Sequence, residues 1–223
     1  MCTPFTTRVA LKIQKIARDL NPTDREFRRI WPLINSVEGF LDDAHGRWLF
    51  KAARALPEGS VVVEIGSFKG RSTSCLALGC LGGRKRVYAI DRFDGGPDLP
   101  RQDTLQEFSE NIRRCSVSGY VEPLIGFSSE VAKTWNKPIH LLFIDGSHQY
   151  EDVLADFTAF YPHVVAGGII AVHDIDENWL GVVRAWNETI KHQLGAIGYC
   201  TTLGFGRKRH GPTAQDLSQD VRV

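Results

Sequence analysis

Apolar positions along the chain fall into two rhythms. From Val61 onward, short β-branched runs alternate with stretches where apolar residues recur every three or four positions, the pattern of strands followed by helices. Val61 to Ile65, Arg86 to Ile90, Val121 to Ile125, His140 to Ile144 and Ile169 to His173 read as strands. Between them come a helix to about Cys80, another from Leu105 to Arg114, and a short one from Ser129 to Trp135. Tyr150 to Phe160 is a helix stopped by Pro162, and Leu180 to Gln193 is a further one. One or two closing strands lie between Ala196 and Lys208. Upstream, Val9, Ile13, Ile16 and Leu20 recur at helical spacing, and Asn21-Pro22-Thr23-Asp24 reads as a turn. Asp42 or Asp43 starts a helix carrying Trp48, Leu49, Ala52 and Leu56, which Pro57-Glu58-Gly59 ends.

Alternating β and α units over roughly 150 residues predict an α/β fold, a doubly wound and mainly parallel sheet with helices on both faces. The chain divides into an N-terminal helical segment (1–58) packed on the core, an α/β domain (59–208) and a polar tail (209–223). In such a sheet ligands collect at the carboxyl ends of the strands. The residues that close each strand are therefore the ones to weigh.

The first strand closes with Glu64-Ile65-Gly66-Ser67-Phe68-Lys69-Gly70-Arg71-Ser72. Gly66 and Gly70 allow a sharp strand-to-helix turn, and the amides at the following helix start favour an anionic group. The glycines are too few for a pyrophosphate-binding G-x-G-x-x-G, and Phe68 and Lys69 would crowd a pyrophosphate. A ligand with one carboxylate and one ammonium fits better, with Glu64 on the ammonium and the turn amides and Ser72 on the carboxylate. S-adenosylmethionine has that shape. Asp91, closing the second strand, can accept hydrogen bonds from both ribose hydroxyls, or it can simply cap the loop that follows.

The fourth strand delivers Asp145-Gly146-Ser147-His148, a carboxylate and an imidazole three residues apart. An unassisted hydroxyl is a poor nucleophile at neutral pH, so His148 suits general-base work and Asp145 suits a divalent ion that lowers the hydroxyl pKa. The fifth strand ends in His173-Asp174, and two converging acids suggest a magnesium-type site. His173 reads either as a satisfied core histidine on the opposite face or as a further polar wall.

These motifs resemble the class I S-adenosylmethionine-dependent methyltransferases. Glu-x-Gly-x-x-x-Gly-x-Ser at Glu64 to Ser72 is similar to their first motif, and the likeness runs from about Val61 to Lys208. It is nearest the small metal-dependent O-methyltransferases of the catechol and macrolide-sugar types. The catechol type has Asp-x-x-Lys, whereas Asp145-Gly146-Ser147-His148 matches the sugar type with histidine as base. The resemblance implies a Rossmann-like sheet of seven strands and cofactor contacts from Glu64, Gly66, Ser67, Gly70, Ser72, Asp91, Ser128 and Asp145. Ser128 would meet the adenine, although it also suits a helix N-cap. It further implies Mg2+ on Asp145 and Asp174. Ile175 occupies the usual third-ligand position and cannot bind a cation, so Asp176 or Glu177 is the substitute, or His148 acts alone.

Composition narrows the partners. Lys and Arg number 27 against 26 Asp and Glu, and a net charge of +1 offers no broad attraction to nucleic acid or anionic membrane. Arg207-Lys208-Arg209 is short enough to be solvated surface. The expected acceptor is a hydroxylated small molecule, a sugar or glycosylated natural product among the options, and homo-oligomerisation is left open. Five cysteines without CxxC spacing argue against a disulfide framework or structural zinc and suit the cytoplasm. Val164 to Val172, the longest apolar stretch, is far short of a membrane span. Arg8, Lys12, Lys15 and Arg18 allow a transit-peptide reading, with an ordinary amphipathic helix as the simpler one. Residues 92–100 form a turn-rich connection suited to a lid. Two rivals remain: an iron- and oxygen-dependent hydroxylase with ligands among His148, His173 and Asp174, and a non-catalytic cofactor-binding subunit.

Overall fold

The computed structural model describes residues 21–95 and 101–209. Asn21 opens helix α1 (Pro22–Asn35), its side chain accepting from the Thr23 and Asp24 amides with Pro22 at the first helical position. Asn21 to Asp24 is thus a helix cap and not the free-standing turn its composition suggests. Helix α2 (Asp43–Arg54) is capped by Asp42, which accepts from the His45 amide at 2.8 Å. The helical repeat from Val9 to Leu20 lies outside the described residues.

The alternation then runs β1 (Val61–Ile65), α3 (Arg71–Gly79), β2 (Arg86–Asp91), α4 (Leu105–Arg114), β3 (Val121–Ile125), α5 (Ser128–Thr134) and β4 (Ile139–Ile144). It continues with α6 (Tyr150–Phe160), β5 (Val164–Val172), α7 (Leu180–Glu188), β6 (Leu194–Cys200) and β7 (Leu203–Lys208). The seven strands lie in the order β3-β2-β1-β4-β5-β7-β6, parallel from β3 through β5, with β7 antiparallel to both β5 and β6. This is the doubly wound, mainly parallel α/β architecture that the alternation predicts. Pro123 is tolerated because β3 is an edge strand. The chain winds outward from β1 to β3 and returns to β4, so the crevice between the ends of β1 and β4 is the switch point where ligands bind.

Pleating sorts the side chains between two cores. Val62, Leu141, Phe143, Ile169 and Ala171 join Phe27, Leu49, Phe50 and Leu76 on the face covered by α1 to α4. Val63, Ile65, Leu142, Ile144, Ile170 and Val172 join Phe157, Val182 and Trp186 on the face covered by α5 to α7. The same parity turns Glu64 and His173 toward the first face, beneath α3 and α2, and this fixes what they can do. The N-terminal helices are tied to the domain by Arg71, whose guanidinium donates to the carbonyls of Val37 (2.6 Å), Leu41 (3.0 Å) and Asn35 (3.2 Å).

Candidate active site

Hydrogen bonds between strand ends hold the β1–α3 turn. Gly66 N–H donates to the Ile90 carbonyl and Asp145 N–H to the Ile65 carbonyl, at 2.9 and 2.8 Å. Gly66 sits at φ +86, and a Cβ there would lie 2.1 Å from the Asp145 carbonyl oxygen. No other residue fits between these two strand ends. Asp91 anchors the turn from β2, its Oδ2 accepting from the Ser67 and Phe68 amides and its Oδ1 from the Phe93 amide, all at 2.7 Å. A carboxylate has about four acceptor positions. With three taken, Asp91 retains one, room for a single ribose hydroxyl and not the two expected.

A cleft of about 600 Å³ opens over these strand ends, a volume suited to a nucleoside-sized ligand with an acceptor beside it. Gly66, Ser67, Ser72, Asp91, Ser128, Asp145, His148 and Asp174 all line it. Glu64 and Gly70 do not. Glu64 has no exposed surface; its Oε2 accepts from Ser67 Oγ at 2.9 Å and from Thr73 Oγ1, while Oε1 has no hydrogen-bond partner. Burial, opposed by the nearby hydroxyls, pushes its carboxyl up to about 7. Its placement supports the turn from behind and offers no contact for an ammonium. Gly70, at φ +89, caps the start of α3, and a Cβ there would lie 3.1 Å from Phe108 and 3.3 Å from Ile112, which makes it a turn and packing residue. Ser128, the first residue of α5, donates to Asp156 Oδ1, and burial raises the Asp156 carboxyl to about 6.

At the other end of the cleft the acids of β4 and β5 meet. His148 Nε2 lies 3.1 Å from Asp174 Oδ2, and its ring stacks on Trp179 with centroids 3.6 Å apart and planes 17° apart. His173 Nδ1 lies 3.1 Å from both Asp145 Oδ1 and Asp174 Oδ1. It forms a hydrogen bond of acceptable angle with neither, although its ring is buried. Burial opposes charge on His173, but Asp145 and Asp174 prevail and push its pKa up to about 11. Asp174, despite its own burial, is held well below the usual carboxylate range by His148 and His173. It also adopts a left-handed backbone (φ +60), uncommon for a non-glycine residue and frequent at functional sites.

His173 is buried on the opposite face of the strand, with Nε2 partnered by His45, and its Nδ1 also faces the two acids. Among the described residues, Asp145, His173 and Asp174 converge with ligand atoms within 4.8 Å of one another, and His148 stands outside that set. His173 is the residue grouped with the two acids, and Asp176 and Glu177 are not in that group. Asp176 instead accepts from the Asn178 amide at 2.8 Å, and the Ile175 side chain packs in the second core. Of the hydroxylase triad sought among His148, His173 and Asp174, His148 is not in the convergent group and meets Asp174 through its other oxygen. His45, which sequence reasoning passed over, reaches in from α2, its Nδ1 3.0 Å from His173 Nε2. The cue available was a histidine in the first turn of a helix whose other inward residues are apolar.

A family model described as a methyltransferase domain matches residues 63–175, the stretch that carries every strand end described above. The chain belongs to the methyltransferase-domain family. The curated protein y4gI of Sinorhizobium fredii is 26% identical over 200 residues, 80% of this chain and 20% of that protein. The chain thus spans a fifth of that relative, and 52% of a mimivirus relative that is 30% identical over 128 residues. Among solved structures, the O-methyltransferase TomG of Streptomyces achromogenes, in complex with SAM, superposes with a TM-score of 0.60 at 17% identity, covering 77% of this chain and 82% of that one. An O-methyltransferase from Bacillus cereus in complex with SAH gives 0.61 at 17% identity, covering 87% and 96%. These likenesses establish the shared fold. Among the described residues no helix is long and apolar enough to cross a membrane.

Proposed function

We propose that this methyltransferase acts on a hydroxyl oxygen of a small molecule, with His148 accepting the proton. One observation carries the reading: an imidazole on the cleft wall is clamped between the Asp174 carboxylate at 3.1 Å and the Trp179 ring. If Nε2–H is donated to Asp174, the basic lone pair belongs to Nδ1, the same division of labour that orients catalytic histidines elsewhere. His148 then takes the hydroxyl proton as the oxygen–carbon bond forms and the sulfur–carbon bond breaks.

When bound, S-adenosylmethionine supplies a methyl group activated by its sulfonium. Ser72 and the first amides of α3 suit its carboxylate, Asp91 one ribose hydroxyl, and Ser128 the adenine edge. Gly66 and Ser67 form the floor against which it lies. The donor set of Asp145, Asp174 and His173 fits a divalent cation, because a buried nitrogen without a satisfactory hydrogen bond faces two carboxylate oxygens. Such an ion lowers the pKa of a bound hydroxyl. Phe40 and Phe127, 75% and 58% exposed, line the same cleft. An apolar scaffold bearing a glycosyl hydroxyl would satisfy both the aromatic rim and the polar centre.

The test is production of S-adenosylhomocysteine across a panel of glycosylated and phenolic acceptors, for the parent, His148→Ala and Asp145→Ala. Loss of a general base should cost about 100- to 10,000-fold in turnover. Near-parent rates in both variants would remove the mechanism.

A further inference from the structure

Behind the two acids the hydrogen bonds run in one direction. Thr201 Oγ1 donates to the Cys200 carbonyl at 2.7 Å, and a carbonyl can only accept. The same oxygen therefore accepts from His45 Nε2–H, which leaves the lone pair of His45 on Nδ1. That nitrogen accepts from His173 Nε2–H at 3.0 Å. Asp42 Oδ1 lies 3.3 Å from His45 Nδ1 and accepts from the His45 backbone N–H at 2.8 Å. The chain thus keeps the Nε2 proton of His173 on the His45 side and leaves Nδ1 as the nitrogen that faces Asp145 and Asp174.

Two carboxylate oxygens and Nδ1 face one another in a buried place, and a metal ion that enters displaces the Nδ1 proton and takes over the positive charge between the acids. Their spacing suits one. Bonds of about 2.1 Å at right angles put neighbouring ligand atoms about 3.0 Å apart, and Nδ1 lies 3.1 Å from each carboxylate oxygen. The nitrogen also discriminates. Imidazole suits transition ions such as Fe2+, Co2+, Ni2+ and Zn2+, whereas Mg2+ prefers an all-oxygen set and gives up its waters reluctantly.

We propose that Asp145, Asp174 and His173 Nδ1 hold a first-row transition cation in preference to magnesium, with His45 and Thr201 as positioning residues that keep His173 in its ligating tautomer. The inference rests on the cation-assisted reading above and replaces its magnesium with a nitrogen-accepting ion. His45 and Thr201 lie outside the family-matched segment, so this support comes from the chain's own flanks.

The experiment uses the full chain, freed of metal by chelation, and titrates Co2+ and Mg2+ separately by calorimetry while the visible spectrum of bound Co2+ is followed. The parent should bind Co2+ at least about 100-fold more tightly than Mg2+. His173→Asp, an all-oxygen set, should bring that ratio below about tenfold and shift the Co2+ absorption. His45→Phe should weaken Co2+ by about 10- to 100-fold, the usual cost of losing a ligand's outer partner. His45→Gln, whose carbonyl can take the His173 N–H, should recover most of it. Equal affinities in the parent, or a ratio unmoved by His173→Asp, would overturn the inference and leave some cation in the reaction. If neither ion binds while S-adenosylhomocysteine still does, His173 is a permanent imidazolium and the cation-assisted reading falls with it. Should a variant fail thermal-unfolding checks, the parent's Co2+ to Mg2+ ratio decides alone.

Discussion

Replacing Glu64 by glutamine isolates the energetic cost of a charge held under the cofactor turn. The Glu64 carboxyl is fully buried, one oxygen has no partner, and its pKa rises from 4.5 to about 7. At about 1.4 kcal/mol per tenfold change, ionising it in the fold costs about 3 kcal/mol more than in the unfolded chain. Because the folded state holds this proton more tightly, its contribution to stability falls as pH rises through the window from 4.5 to about 7 and then levels off. Glutamine keeps an oxygen for Ser67 and Thr73 and has nothing to ionise. Urea denaturation of parent and Glu64→Gln between pH 5 and pH 8 should therefore show the difference moving in favour of the variant by about 2.5 kcal/mol, with unchanged m-values. A difference that stays flat, or moves the other way, would mean that Glu64 ionises freely, and the reading of it as a buried brace would be wrong.

Two further outcomes follow from the same geometry. Gly66→Ala places a methyl group against the Asp145 carbonyl at a positive φ, so it should destabilise the fold by about 3 kcal/mol or more and abolish cofactor binding, as calorimetry and thermal unfolding would show. Trp179→Ala removes the ring stacked on His148, so turnover should fall by about tenfold or more with little change in cofactor affinity, whereas an unchanged kcat would deny Trp179 any orienting role.

The strands and their closing residues were legible because a sheet buried on both faces demands unbroken apolar runs, and β1, β2, β4 and β5 supply them. The convergence of Asp145 with Asp174 also follows from sequence, since neighbouring parallel strands end together. Helix α1 was not legible. Its inward side chains are few, its other face carries Arg25, Glu26, Arg28 and Arg29, and its Asn-Pro start has the composition of a turn. Glu64 was misplaced because motif spacing says which residues are near a turn but not which side of the pleat they leave from. His173 carried two readings because its partner, His45, is 128 residues away, and no local pattern encodes a pairing at that range.

His45 and Thr201 support His173 from outside the stretch most recognisable as a methyltransferase. A fragment trimmed to residues 63–175 would keep Asp145, His173 and Asp174 but lose both residues that aim the imidazole. On the proposed cation reading, cousins that share that middle stretch and differ in their flanks should diverge in the ion they prefer.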